Sequence, residues 1–217
     1  MGSDLLTKLE PFFKKYNPLF FKKGHIIARP EDTIEYMYFL EKGFVKFYVL
    51  SKTGKELTFL IYSPGYIFPI LYTFFGNETR YYFEALTPIM VRRAPREVFT
   101  EVISKDPESL LLLSREMVLR LQELLNRLEL LTLGDASQNV AFILSDCARQ
   151  FGIKKANSYT ITVPLVHKDI ASMAGLSRET VSIEMKKFEE KGLISYRRKH
   201  IFIKDLKKFK EALDINI

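Results

Sequence analysis

Cysteine and histidine are scarce in this 217-residue chain, and long apolar runs are missing. The single cysteine, Cys147, excludes an intramolecular disulfide and any four-cysteine zinc or iron–sulfur site within one chain. It lies in the apolar run 140–148, which reads as helix, so a buried structural thiol is expected. His25, His167 and His200 are scattered and assemble no nucleophile–base–orienter set, so the chain does not read as an enzyme. They offer no haem ligand pair either: His25 falls in an expected strand or turn, and the other two in the C-terminal third. No metal or other cofactor is therefore expected. No stretch approaches the roughly 18 consecutive apolar residues of a membrane span. The first ten residues lack the apolar centre of a signal peptide. A cytoplasmic location without membrane contact is the resulting expectation.

A hydrophobic fraction of 47% and a charged fraction of 27% are those of an ordinary globular protein. Charge is unevenly spread. Residues 134–217 hold 15 Lys or Arg against 10 Asp or Glu, a net +5, whereas residues 1–133 hold 18 against 16, a net +2. The positive excess is densest in the C-terminal third, as expected of a part that meets phosphate. A merely solvated basic surface is the plain alternative.

Three regimes of periodicity follow one another. From about 20 to 103, short runs rich in aromatic and β-branched residues, such as 36–40, 44–50 and 56–62, read as strands. Gly24, Gly43, Gly54, Gly65 and Gly76 punctuate them, and Ser51 to Gly54 is a hairpin signal. This pattern predicts an antiparallel β-roll with a jelly-roll flavour. A long helix then starts near Asp106-Pro107. Leu110, Met117, Leu121, Leu124, Leu128 and Leu131 line one face of it, with the 4-3 alternation of a coiled-coil seam from Met117 onward. Leu111, Val118 and Leu125 lie on a neighbouring face. A helix apolar on two faces needs two partners, one stripe for the roll and one for a second subunit; a singly buried helix remains the alternative. After Gly134-Asp135 come a helix over 136–150, a strand over 160–163, two short helices, a β pair around 195–203 and a last helix over 206–213.

The segment 167–188 carries the most specific signal. Ile170, Ala174, Leu176 and Val181 supply a small core, Ala171 allows close crossing, and Gly175 a tight turn. Ser177 is a natural N-cap for the next helix. This leaves Arg178, Glu179, Ser182 and Lys186 pointing away from the core, with Thr180 in the first turn and Lys168 one helix earlier. In a helix-turn-helix the second helix presents its first residues to base edges, where Arg pairs with guanine and Glu accepts from cytosine. The following turn, Arg197, Arg198, Lys199 and His200, is a cationic wing suited to phosphate. A generic helical hairpin is the alternative for this segment, and the Arg-Glu pair after the cap favours DNA; a basic turn taken alone is usually just solvated.

The order of β-roll, long helix and winged helix-turn-helix resembles the Crp/Fnr transcription regulators over nearly the whole chain. Ser177-Arg-Glu-Thr-Val-Ser182 with Lys187-Phe-Glu-Glu-Lys-Gly192 resembles their recognition helix and its exit, and residues 37–49 resemble the central hairpin of their roll. The resemblance implies an α+β fold: a β-roll effector domain over 1–105, a dimerisation helix over 106–133 and a winged helix-turn-helix DNA-binding domain over 134–217. It implies a homodimer that binds double-stranded DNA at an inverted repeat under control of a small-molecule effector, and it allows RNA polymerase as a further partner. The family commonly has a second Arg five residues after the first; here Ile183 stands there, so a half-site unlike the usual one is expected.

Relatives that bind cyclic nucleotides use a Gly-Glu pair for the ribose and Arg-Ser/Thr for the phosphate. The spacing from Gly65 to Arg80 is kept, but Pro69 and Ile70 occupy the first pair and Tyr81 follows Arg80. Nothing accepts from the ribose hydroxyl, and a tyrosine crowds the phosphate. The expected effector is therefore not a cyclic nucleotide, although a cyclic-nucleotide-responsive regulator is one rival. Another is a sensor module acting through protein partners. Ten aromatic residues lie between Phe59 and Phe83. They either fill the roll or line a pocket, whose candidates are Phe68, Ile70, Tyr72, Arg80, Tyr81 and Leu121. Arg80 reads equally as the counter-charge of an acidic ligand or as half of a surface ion pair.

Overall fold

The structure, a computed structural model, describes residues 3–74, 78–197 and 200–213. Leu5, Leu9 and Phe13 recur at every fourth position and make helix α1 (Ser3–Phe13) amphipathic. Among the described residues of 18–95, period-two patterning produces eight strands: β1 (Pro18–Phe21), β2 (Ile26–Ala28), β3 (Tyr36–Lys42), β4 (Val45–Leu50), β5 (Glu56–Tyr62), β6 (Ile67–Phe68), β7 (Tyr82–Ala85) and β8 (Ile89–Pro95). They pair antiparallel into two four-stranded sheets, ordered β1-β8-β3-β6 and β2-β7-β4-β5. The hairpin between β4 and β5 closes where expected, with Gly54 at φ 78° donating to the Ser51 carbonyl at 2.9 Å.

Alternation decides which core each side chain joins. On β3, Leu40 enters the core between the sheets with Val45, Phe47, Phe68, Phe83 and Val91. Its neighbours Met37 and Phe39 face the other way and pack with Leu5, Leu9 and Phe13 of α1. Phe99 and Ile103 of α2 (Arg96–Ser104) complete that second core. Helix α2 corrects the expectation of strands up to residue 103. The apolar pair at i and i+4 is a single helical turn of signal, too short to stand out after eight strands.

Helix α3 (Pro107–Leu133) starts where Asp106-Pro107 predicts. The chain divides into two compact units within it, 1–122 and 123–217. Both leucine stripes of α3 are solvent-exposed, from Leu110 and Leu111 to Leu125 and Leu128. The face that is buried in the first unit carries Ser109, Leu113 and Glu116 instead. The expectation that one stripe packs on the roll is thus corrected. A largely polar line gave no apolar period to read.

In the second unit, Asp135 caps α4 (Ala136–Phe151) through a capping box with Gln138. Ten residues of α4 are buried, Cys147 among them, and burial pushes its thiol pKa up. Strands β9 (Gly152–Lys155) and β10 (Ser158–Ile161), helices α5 (His167–Ala174) and α6 (Arg178–Glu190), strands β11 (Ile194–Arg197) and β12 (His200–Ile203), and helix α7 (Leu206–Glu211) follow. The four strands form one sheet, ordered β11-β12-β10-β9. Among the described residues no helix is long and apolar enough to cross a membrane.

Candidate nucleic-acid interface and effector region

Helix α5 ends because Gly175 adopts φ 68°, and its N–H closes on the Ala171 carbonyl. The chain then turns into α6, where Ser177 Oγ accepts from the Thr180 N–H at 3.0 Å. Ile170, Ala171, Ala174 and Val181 are buried as the motif requires, whereas Leu176 is only half-buried. Met185 and Phe188 continue the inner face of α6, and Phe188 meets Phe209 of α7 edge-on at 5.5 Å. Glu184 is also buried there, paired with Lys187 at 2.7 Å.

The opposite face carries the predicted readers. Arg178, Glu179, Lys186 and, one helix back, Lys168 are exposed. Thr180 is half-buried, its hydroxyl 3.0 Å from that of Ser177. Ser182 departs from the simple outward orientation: it is half-buried, with its hydroxyl 2.7 Å from His167 Nδ1. The other ring nitrogen of His167 lies 3.0 Å from the Tyr196 hydroxyl on β11. One imidazole thus joins the start of α5, the middle of α6 and the wing. Residues 167, 182 and 196 share no local pattern, so sequence offered no signal for this link. Arg127, near the end of α3, was likewise missed. It donates to the Met173 carbonyl, and burial lowers its guanidinium pKa to about 10. On the wing, exposed Arg197 stacks on Phe202, 3.6 Å from its ring centroid. Arg198 and Lys199 lie outside the described residues.

In the first unit, the candidate effector residues separate. Phe68 and Tyr72 belong to the core between the sheets, where Phe68 stacks on Tyr62 at 5.3 Å. Ile70 packs beside the second core, and Leu121 is exposed on α3. Only Arg80 and Tyr81 of the six line the open groove of about 620 Å³ formed with Pro30, Glu31, Val49, Leu50, Phe59, Glu78 and Thr79. The Tyr81 ring meets Phe47 edge-on at 4.9 Å and Phe59 at 5.5 Å. Its N–H donates to buried Thr79 Oγ1 at 3.0 Å, as does the Tyr72 hydroxyl at 3.1 Å. Much of the aromatic density therefore packs upon itself as the filling of the roll. Phe75 and Gly76 lie outside the described residues.

A winged helix-turn-helix preceded by a β-roll and a long helix defines a DNA-binding regulator of transcription. Residues 120–212 match the Crp-like helix-turn-helix domain and residues 18–106 the cyclic nucleotide-binding domain. The global nitrogen regulator of Nostoc sp. is 31% identical over 186 residues, 84% of this chain and 83% of that protein. The CRP-like cAMP-activated global transcriptional regulator of Mycobacterium tuberculosis is 27% identical, over 88% of this chain and 86% of its own. Among solved structures, a CooA mutant from Carboxydothermus hydrogenoformans superposes with a TM-score of 0.79 at 24% identity, covering 98% of this chain and 96% of its own. FixK2 from Bradyrhizobium japonicum does so with 0.77 at 21%, covering 91% and 96%. The chain belongs to the Crp/Fnr family of transcription regulators. Its relatives are regulators, not enzymes.

Proposed function

We propose that this regulator works as a homodimer that reads an inverted-repeat DNA site through α6, with an effector other than a cyclic nucleotide. The observation that carries the DNA reading is the capped start of α6, which leaves Arg178 and Glu179 exposed in its first turn while Val181, Met185 and Phe188 anchor the inner face. Arg178 and Glu179 meet base edges; Ser177, Thr180, Lys168, Arg197 and the adjoining wing residues meet phosphate; Ser182 is held beside both. The dimer reading rests on the exposed stripe of α3, Leu110 through Leu128 with half-buried Leu131 at its end, which a second copy of the same helix would cover. The domain scheme follows: roll over 1–105, helix over 106–133, DNA-binding domain over 134–217.

For the effector, the match to the cyclic nucleotide-binding domain favours a second reading, activation by a cyclic nucleotide. Against it stand Pro69 and Ile70 where a Gly-Glu pair is needed, and the Tyr81 ring wedged against Phe47 and Phe59. The groove at Arg80 and Tyr81 is the better candidate for a small ligand. Its rim carries Glu31 and Glu78 as well as Arg80, so a bound anion would meet both signs of charge.

Fluorescence anisotropy with a bound duplex tests both parts. Arg178→Ala is expected to lose about 1–3 kcal/mol per half-site. Wild-type affinity should fall linearly on a log–log plot against salt. Cyclic AMP or cyclic GMP should leave it unchanged. Unaltered affinity in Arg178→Ala would remove α6 as the reading element, and a large gain with either nucleotide would establish the second reading.

A further inference from the structure

Ile183 is 56% exposed on the outer side of α6. A single exposed isoleucine is ordinary on a protein surface; its neighbours make this one unusual. It stands one turn beyond Glu179 on the same helical face, with exposed Arg178 before it and exposed Lys186 and Lys187 after it. Ser182, the adjacent polar residue, has its hydroxyl occupied by His167. At this level of the helix, the side chain offered to a DNA groove is therefore apolar and flanked by cations.

We infer that Ile183 is a specificity-determining residue that reads the C5 methyl group of a thymine. This rests on the proposed docking of α6 in the major groove. The floor of that groove is a row of hydrogen-bond donors and acceptors, and its apolar feature is the thymine methyl. Isoleucine has neither donor nor acceptor to offer, so pressing it on a guanine, adenine or cytosine edge would strip water from a polar group and return nothing. Against a thymine it buries methyl on methyl. Five residues separate it from Arg178, roughly 7.5 Å along a helix axis, or about two base-pair steps. Arg178 and Ile183 thus read different positions of one half-site, and a thymine stands where an arginine at 183 would select guanine.

The test uses the full-length protein and a duplex selected from random DNA, with each thymine of the half-site replaced singly by deoxyuridine, which lacks only the methyl. Wild-type protein should lose about fourfold in affinity at one such position, the worth of one buried methyl. Ile183→Ala should bind the thymine and uracil duplexes equally, at the affinity of wild-type protein on uracil. The side chain is exposed, so folding is not at stake, and an unchanged melting temperature checks it. Ile183→Arg should move the preferred base at that position to guanine. Wild-type binding indifferent to uracil at every position, alongside loss in Arg178→Ala, would overturn the role of Ile183 and leave the DNA reading standing. Sensitivity that persists in Ile183→Ala would assign the methyl to another residue and overturn it equally. Absence of any selected site would remove the DNA reading, and this inference with it.

Discussion

Asp106 shows how one residue starts an element. Its carboxylate accepts from the Glu108 N–H at 3.2 Å and the Ser109 hydroxyl at 2.7 Å, opening α3, and pairs with Lys8 of α1 at 2.7 Å. The Lys8 ammonium and then the Ser109 hydroxyl hold its pKa at about 2, below its usual 3.8. A carboxyl depressed on folding contributes stability that is fully present above the unfolded value and lost as pH falls through the folded one. Acid titration of wild-type protein should therefore destabilise the first unit between about pH 4 and pH 2 more steeply than in Asp106→Asn, followed by circular dichroism during denaturant melts. Parallel curves would mean that the pairing adds nothing. Roles of this kind are legible when the partners are close in the chain: the capping by Asp106 and Ser177 and the turn at Gly175 act within a few positions, and sequence pointed to each, whereas the Lys8 partner of Asp106 did not show. His167 reaches Ser182 and Tyr196, and Arg127 reaches Met173, 46 positions away. Only the folded chain brings those together.

At the scale of elements, strong periods were legible and short ones were not. Strands β3, β4 and β5 and the long helix α3 fall within a residue or two of their expected bounds, and the motif has its turn at Gly175 and its cap at Ser177 as expected. Strand β9 was missed, and so were helices α1 and α2, which carry Leu5, Leu9 and Phe13, and Phe99 and Ile103. The two helices show only one- or two-turn repeats beside polar or strand-like neighbours. Helix α3 was legible as a helix but not in its contacts, because its buried line of Ser109, Leu113 and Glu116 is mostly polar. The exposed stripe gives the element its test. Leu124→Glu combined with Leu128→Glu places four charges in the proposed two-fold seam and should weaken the dimer by roughly a hundredfold or more. Both residues are exposed, so helical content should not change. Sedimentation showing an unchanged dimer would move the interface elsewhere.

For the whole molecule, fold class and the helix-turn-helix were open to sequence because each repeats a local rule: alternation in the roll, heptads in the helix, cap and turn in the motif. The proposed effector region is harder because filling and pocket use the same aromatic residues, and only packing separates them. Phe68, Tyr62 and Phe83 stack on one another, while Arg80 and Tyr81 remain at an open groove. The formal charge of +7, densest over residues 134–217, supplies long-range attraction to DNA but no sequence preference. In the proposed dimer, preference belongs to α6, and its two copies would impose two-fold symmetry on the site. In vitro selection of duplexes from a random pool measures that directly. Reading by a dimer should enrich an inverted repeat with half-site centres about 10–10.5 base pairs, or a multiple of that, apart. Recovery of no common sequence, or of a single unpaired half-site, would contradict it.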